Sequence, residues 1–224
     1  MAFRNAYKGK VEGEKRGRKP YTSAYSGWAA ICAMSEGNPR WLIGIINAIM
    51  SNLSREKLIL PISVVVQQGQ LTGLSQAFAE ILRAAATGQL RGMGTTAPVY
   101  ETLEKIGQYF HNRLVRDQFV EDPPMSFVVD NAVDQNTENA LRIAVNHGAL
   151  VCYETPDSLG GYASLKGKRF RLAYLLAPEF KLPLRKSKAV DLSTVLSVRN
   201  ATPALPRAPS TSTTPPIQGE LPWA

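Results

Sequence analysis

Apolar residues in the first half of the chain recur every three or four positions, the spacing of one face of an α-helix. A short apolar segment, Trp28–Met34, comes first and predicts a helix of its own. Three further helices are predicted, with inward positions Leu42, Ile45, Ile46, Ile49 and Leu53; Leu74, Phe78, Ile81, Leu82 and Ala85; and Leu103, Ile106, Phe110 and Leu114. Thr96 is the expected cap of the last helix and Pro98 lies in its first turn. Residues 21–118 are therefore predicted to form a helical bundle.

The pattern changes over residues 119–198, where short apolar runs alternate with polar turns. Strands are predicted at 127–129, 149–153 and 169–176, and a helix at 135–147 that Gly148 ends. Helix, strand, long polar turn and strand, in that order, are the outline of a winged helix. We therefore predict a small α+β domain after the bundle, in a chain that is mainly α.

Neither end of the chain has apolar periodicity. Residues 1–20 are rich in Lys and Arg and are interrupted by glycines, which predicts a flexible basic arm. Contact with DNA or with an ATPase core suits its charge, and a solvated connector is an equal alternative. Residues 199–224 are rich in Pro, Ser and Thr and cannot bury enough apolar surface to offset ordering, so a disordered tail is expected.

Composition narrows the class of protein. A chain of 224 residues holds one or two modest cores at roughly 100–200 residues per domain, and its net charge of +8 suits a polyanionic partner. Cys32 and Cys152 are predicted to be small core residues in a reducing compartment. The first 20 residues lack the apolar region of a signal peptide, so we expect a cytoplasmic protein with no membrane partner.

The sharpest local motif is Gly37-Asn38-Pro39-Arg40. Gly37 can end one helix with a positive φ, Asn38 can cap the next, and Pro39 suits a first helical turn. An arginine beside the positive end of a helix dipole favours an anionic partner such as a phosphate. The alternative is a well-capped corner whose arginine faces only solvent.

This arrangement of helix, turn, G-N-P-R and helix resembles the sensor-2 element in the helical lid of AAA+ ATPases, in particular the bacterial and archaeal relatives of the origin-recognition and cell-division-cycle initiators. The likeness extends over about residues 7–198 and is sharpest at 25–46, 171–178 and 182–185. It implies a lid followed by a winged-helix domain. It also implies that Arg40 reaches the γ-phosphate of ATP held by a neighbouring core, with Asn38 mounting it.

The sequence has no G-x-x-x-x-G-K-[ST] motif to cradle phosphates. The nearest match, from Gly161 to Arg169, has one residue too many and an arginine where the Mg²⁺-binding hydroxyl should be. No catalytic activity is therefore expected of this chain alone, and no metal site. ATP and Mg²⁺ would be engaged only through an ATPase core, in cis or in trans.

Basic residues gather around the predicted wing. Asn139 and Arg142, on the helix before it, are predicted to reach DNA bases. Duplex DNA is thus the expected partner, and its phosphates are predicted to contact Lys166, Lys168, Arg169 and Arg171. The alternative is a protein–protein interaction or oligomerisation module of a signalling or phage-defence ATPase, with the same charges solvated. A homo-oligomer is compatible with either interpretation.

Overall fold

A computed structural model describes residues 23–51, 62–85, 97–115, 122–154 and 162–197. These residues are mainly helical, with one small mixed sheet. The helices are α1 (Trp28–Met34), α2 (Pro39–Ser51), α3 (Val64–Ala84), α4 (Val99–Val115), α5 (Gln135–Asn146), α6 (Ala177–Phe180) and α7 (Leu192–Ser197). The strands are β1 (Ser126–Val128), β2 (Leu150–Cys152), β3 (Arg169–Leu172) and β4 (Ala189–Asp191). The predicted arm and tail, Leu53 and Thr96 lie outside the described residues.

The four helices predicted in the first half of the chain are present as α1 to α4. Ile45 and Ile49 of α2 are buried, and so are Leu103, Ile106 and Phe110 of α4, as their spacing predicted. Ser63 caps α3, since its hydroxyl accepts a hydrogen bond from the Val66 amide. Periodicity therefore identified the core faces of α2 and α4. In α3 only Leu82 of the predicted inward positions is buried, and the core face consists of Leu71, Ser75, Ala79 and Leu82.

Three predictions of burial in this region are wrong. Ile46, Ile81 and Cys32 are exposed. Each is a direct sequence neighbour of a buried residue, and successive residues of an α-helix point about 100° apart. On α1, α2 and α3 the apolar residues therefore cover a wider part of the helix surface than the part that is buried.

The sheet has the order β2-β3-β1-β4. β3 runs antiparallel to both neighbours, with Phe127 opposite Phe170 and Val151 opposite Arg171, while β4 is parallel to β1. The first two predicted strands are found within one residue of their expected bounds, and Gly148, with φ 73°, follows α5 as expected. Sequence patterning located this unit well.

The third predicted strand, 169–176, is too long. β3 ends at Leu172, and residues 174–180 form a 3-10 turn followed by α6. The Tyr174 amide donates to the carboxylate of Glu36 instead of to a strand, and Pro178 lies in the first turn of α6, where proline favours a helix. A contact from a distant part of the chain thus ends the strand.

The segment from α5 through β2 to β3 follows the predicted order of helix, strand, turn and strand. Asp134 caps α5 by accepting a hydrogen bond from the Thr137 amide at 2.9 Å. Residues 131–133 form a turn, so α5 is the only helix between β1 and β2 within the described range 122–154. A helix-turn-helix places two helices in succession. Among the described elements the helix that precedes α5 in the sequence is α4, and β1 lies between the two.

One hydrophobic core extends across the helices and the sheet. The Tyr25 hydroxyl contacts the backbone carbonyls of Ala177 (3.1 Å) and Leu182 (2.7 Å), which ties the start of the bundle to the α6 region. Phe180 packs directly on Gly107 of α4, where any Cβ would lie 2.3 Å from its ring. The relative positions of the two parts are therefore set by close packing.

Candidate nucleotide-sensing corner and nucleic-acid interface

Residues 35–40 form a tight corner between α1 and α2. Gly37 has φ 73°, and the amide of Asn38 donates to the Ser35 carbonyl at 2.8 Å. The Asn38 side chain accepts from the Arg40 amide at 3.0 Å, and α2 begins at Pro39. The local structure therefore has the predicted helix end, cap and first-turn proline.

Arg40 is exposed on the first turn of α2. Its guanidinium makes no hydrogen bond or ion pair with any other residue in the described part of the chain. The unpaired backbone N–H groups at the start of α2 place partial positive charge beside it. An anion is the partner that this environment favours.

Glu36, within the same corner, is a residue that the sequence analysis did not single out. Its carboxylate receives a two-pronged contact from Arg171 of β3, with Nη1 at 2.7 Å from Oε1 and Nη2 at 2.6 Å from Oε2. The Tyr174 amide donates to the same carboxylate at 2.6 Å. Neither spacing nor periodicity could have identified the pair, because 135 positions separate its members.

The Glu36–Arg171 pair is largely shielded from water, with side-chain exposures of 13% and 10%. Burial alone would lower the pKa of Arg171, but the hydrogen bonds and negative charge of Glu36 outweigh it and raise that pKa. The guanidinium also lies 3.9 Å from the centre of the Tyr174 ring. Arg171 is thus occupied within the protein.

Trp41, next to Arg40, makes a second contact with the sheet unit. A Cβ at Gly148 would lie 2.9 Å from Cζ2 of this indole, so the ring rests directly on the glycine backbone. Its other neighbour is Phe78 of α3, edge to face at 5.5 Å. The start of α2 is therefore packed between α3 and the turn after α5.

Residues 162–168, which we call the basic turn, lead into β3. Lys166 and Lys168 are partly exposed there. The Lys166 ammonium lies 3.4 Å from the Asn131 carbonyl, and that of Lys168 lies 5.2 Å from the centre of the Tyr162 ring. Both charges are near the surface, as a phosphate contact requires.

Arg142 holds this turn in place through hydrogen bonds. Its guanidinium donates to the carbonyls of Tyr162 at 2.8 Å and Ala163 at 2.9 Å, and pairs with Glu138 at 2.9 Å. Glu138 also accepts from the Leu165 amide. The Arg142 guanidinium therefore lies against the basic turn and does not extend into solvent.

Arg169 is likewise engaged. Its Nε donates to the Ser126 hydroxyl at 3.0 Å, Nη2 contacts the Ser187 carbonyl, and the guanidinium lies 4.5 Å from the centre of the Tyr153 ring. Asn139 is partly exposed and accepts from Gln135 on the outer face of α5. Of the predicted DNA-contacting residues, the two lysines and Asn139 thus face outward, while the three arginines hold the unit together.

The contact between Arg169 and Ser187 brings a second basic segment beside β3. Lys186 is exposed, with its ammonium 5.8 Å from the centre of the Tyr153 ring. Arg185 and Lys188 are exposed on the same segment. The fold therefore places these three basic residues beside β3, next to the basic turn.

The described residues contain no helix with the length and apolar content needed to cross a bilayer. No curated protein and no solved structure matches this chain. A family model for ORC-CDC6-like proteins matches residues 1–192. With most of its length matched in this way, the chain belongs to the ORC-CDC6-like family.

Proposed function

We propose that this protein is the nucleotide-sensing lid and DNA-binding portion of an initiator-like AAA+ ATPase, and that α5, β2 and β3 form the core of its winged helix. The observation that carries the proposal is Arg40, exposed without an ion-pair partner among the described residues, on a capped first turn. Membership of the ORC-CDC6-like family supports it.

Arg40 would contact the γ-phosphate of ATP bound to a core that carries the Walker motifs, in cis or in trans. Mg²⁺ would be held by that core. Ile43, Ile46 and Met50, which we call the apolar stripe, lie on the same side of α2 as Arg40, within an arc of about 120°. Ile43 is 58% exposed and Met50 42%, which is typical of a surface that another protein covers.

DNA would bind along the basic turn and the neighbouring segment. Lys166, Lys168 and Lys186 would neutralise phosphates, and Asn139 would approach base edges. In this proposal Arg142, Arg169 and Arg171 shape the surface from within, because their guanidinium groups already have partners.

Fluorescence anisotropy with a labelled duplex, measured over a range of salt concentrations, tests the DNA contact. The affinity falls as salt rises, and each phosphate contact contributes about −0.9 to the slope of log affinity against log salt. Replacing Lys166, Lys168 and Lys186 together by alanine should make this slope less steep by about 2 to 3 units. The matched control is Lys105→Ala on α4, another exposed lysine, which should leave the slope unchanged. No binding at low salt would reject the DNA-binding function.

The sensor assignment is tested by ATP turnover after a Walker-bearing core is supplied. Arg40→Ala should reduce turnover by at least about tenfold, the range in which one transition-state contact acts. Lys105→Ala on α4, exposed and outside this face of α2, is the control. Normal folding by circular dichroism with unchanged turnover in Arg40→Ala would remove the assignment.

The apolar stripe also favours a second candidate, an interaction module that docks on another protein without binding nucleic acid. Trp28 of α1 is a further large apolar side chain that is exposed. The two candidates diverge on DNA binding. A protein that binds no duplex but loses association with its core on Ile43→Ser would be the interaction module.

A further inference from the structure

One face of α2 combines a cation with a row of apolar side chains. Arg40 lies on the first turn, and the apolar stripe follows it, with Ile43, Ile46 and Met50 about 4.5, 9 and 15 Å further along the helix axis. All three apolar side chains are exposed, and Arg40 has no ion-pair partner among the described residues. A ligand that fits this face therefore has a negative charge and, about 5–15 Å from it, apolar groups.

The sequence beyond α7 contains a segment with these two properties. Residues 220–223, which we call the acidic-apolar segment, have the sequence Glu-Leu-Pro-Trp. Glu220 is the only carboxylate side chain between residues 198 and 224. In an extended chain Trp223 lies about 10 Å from Glu220, since each of the three steps spans about 3.3 Å. The charge and the large apolar group are thus as far apart as the cation on α2 and the middle of the apolar stripe.

The chain is long enough to bring this segment to α2. The described residues end at 197, and residues 198–219 can span about 70 Å, more than the roughly 40 Å width of a compact domain of this size. The N-terminal arm is a poorer occupant, because its seven basic residues outnumber its two acidic residues and would repel Arg40. Charge therefore selects the segment near the other end of the sequence.

We propose that the acidic-apolar segment docks on α2 of its own chain, with the Glu220 carboxylate on Arg40 and with Leu221 and Trp223 on the apolar stripe. A segment tethered to its site has an effective concentration of about a millimolar, so weak contacts suffice to hold it. The segment then covers the face on which the ATPase core would bind, and competes with that core. Only this competition rests on the proposed function.

Oxidation of Met50 by dilute hydrogen peroxide, followed by mass spectrometry on the full chain, measures whether the apolar stripe is covered, because exposure governs how fast a thioether is oxidised. Trp223→Ser should raise the oxidation rate at Met50 at least about threefold, the change expected when a contact occupied about two-thirds of the time is lost. Leu205→Ser, which removes another apolar side chain beyond α7, is the matched control and should leave the rate unchanged. Met34, which is fully buried, reports any loss of folding.

The ionic half of the contact is tested by exchanging the two charges. Arg40→Glu alone should raise the oxidation rate at Met50 as Trp223→Ser does, because it brings two carboxylates together. Adding Glu220→Arg to that variant should restore the slow rate of the parent protein. A rescue of this kind cannot come from a loss of folding.

Equal oxidation rates at Met50 in the parent protein and in Trp223→Ser overturn the inference, and so does a charge-exchanged pair that stays fast. Protection of Met50 that grows with protein concentration assigns the cover to a second copy of the chain and also overturns it, since docking within one chain is independent of concentration.

The competition with the core is a separate measurement. Trp223→Ser should strengthen the association of the full chain with a Walker-bearing core about threefold, because the face on α2 is then free in every molecule. Equal affinity of the parent protein and the variant for the core overturns the competition. A core that binds neither protein removes the proposed function and leaves the oxidation result standing.

Discussion

Helices α2 and α5 were predicted from the same spacing of apolar residues, yet they depart from that pattern in opposite ways. α2 leaves Ile43 and Met50 in solvent. α5 buries Glu138, which is 3% exposed, and turns Arg142 inward against it. One helix has apolar surface without a partner among the described residues, while the other has charged groups that are satisfied internally.

The difference separates a docking surface from a supporting one. Exposed apolar area on α2 contributes nothing to the stability of this chain and favours association with another protein. Buried charge on α5 is tolerated only because every group has a hydrogen-bonding partner. Mutations on the two helices should therefore act on different properties.

The largest effect is expected at Glu138. Glu138→Ala removes the carboxylate that pairs with Arg142 and accepts from the Leu165 amide, and should lower the free energy of unfolding by about 3 kcal/mol. Urea denaturation measures it. Ile43→Ala on α2 should change the same quantity by less than about 0.5 kcal/mol, as exposed substitutions usually do. Similar losses in both variants would remove the contrast between the helices.

An intermediate effect is expected where α2 meets the turn after α5. At Gly148 an alanine would clash with Trp41 and would have to adopt φ 73°. Gly148→Ala should cost about 2 kcal/mol of unfolding free energy by thermal or urea denaturation. Gly69→Ala in α3, where the added methyl meets no atom within 4 Å, should instead stabilise the protein by roughly 0.5–1 kcal/mol. A neutral Gly148→Ala would mean that Trp41 of α2 is not in close contact with the turn after α5.

The smallest effect concerns the caps, Asn38 for α2 and Asp134 for α5. Hydrogen bonds from the amide and hydroxyl of Thr137 lower the pKa of Asp134. Its contribution to stability is thus present above the ordinary pKa of about 4 and is lost as pH falls through the lower folded value.

Denaturation between pH 2 and 6 tests this contribution. Asp134→Asn keeps a good cap, so stability should be similar at pH 7 and should fall less steeply in acid. Asn38→Ser, a change between two uncharged caps, should leave the acid dependence as it is. If stability falls with pH as steeply in Asp134→Asn as in the parent protein, the Asp134 carboxylate does not contribute to the acid dependence.

Sequence reasoning located much of this fold because the relevant signals are local. The corner at Gly37, Asn38 and Pro39 formed as predicted, since helix ends and caps depend on neighbouring residues. The buried faces of α2 and α4 followed from periodicity over a few turns. Arg40 could be selected from the sequence for the same reason.

Only the tertiary structure decided which charged residues remain available. In the sequence the arginines and lysines around the wing look alike, as basic residues close together. In the fold Arg142, Arg169 and Arg171 are bound by other groups of the protein, while Lys166 and Lys168 reach the surface. Guanidinium groups have several donors in a planar fork and are therefore readily bound by carboxylates and carbonyls within a fold. Those acceptors come from distant parts of the chain, so no local pattern shows them.

The chain by itself thus determined α1 to α5, β1, β2 and the corner that presents Arg40, because each depends on residues a few positions apart. The fold decided that Glu36 meets Arg171, that β3 stops at Leu172, and that one face of α2 stays uncovered among the described residues. These outcomes depend on contacts between residues far apart in sequence, whose geometry exists only after the helices have packed against the sheet.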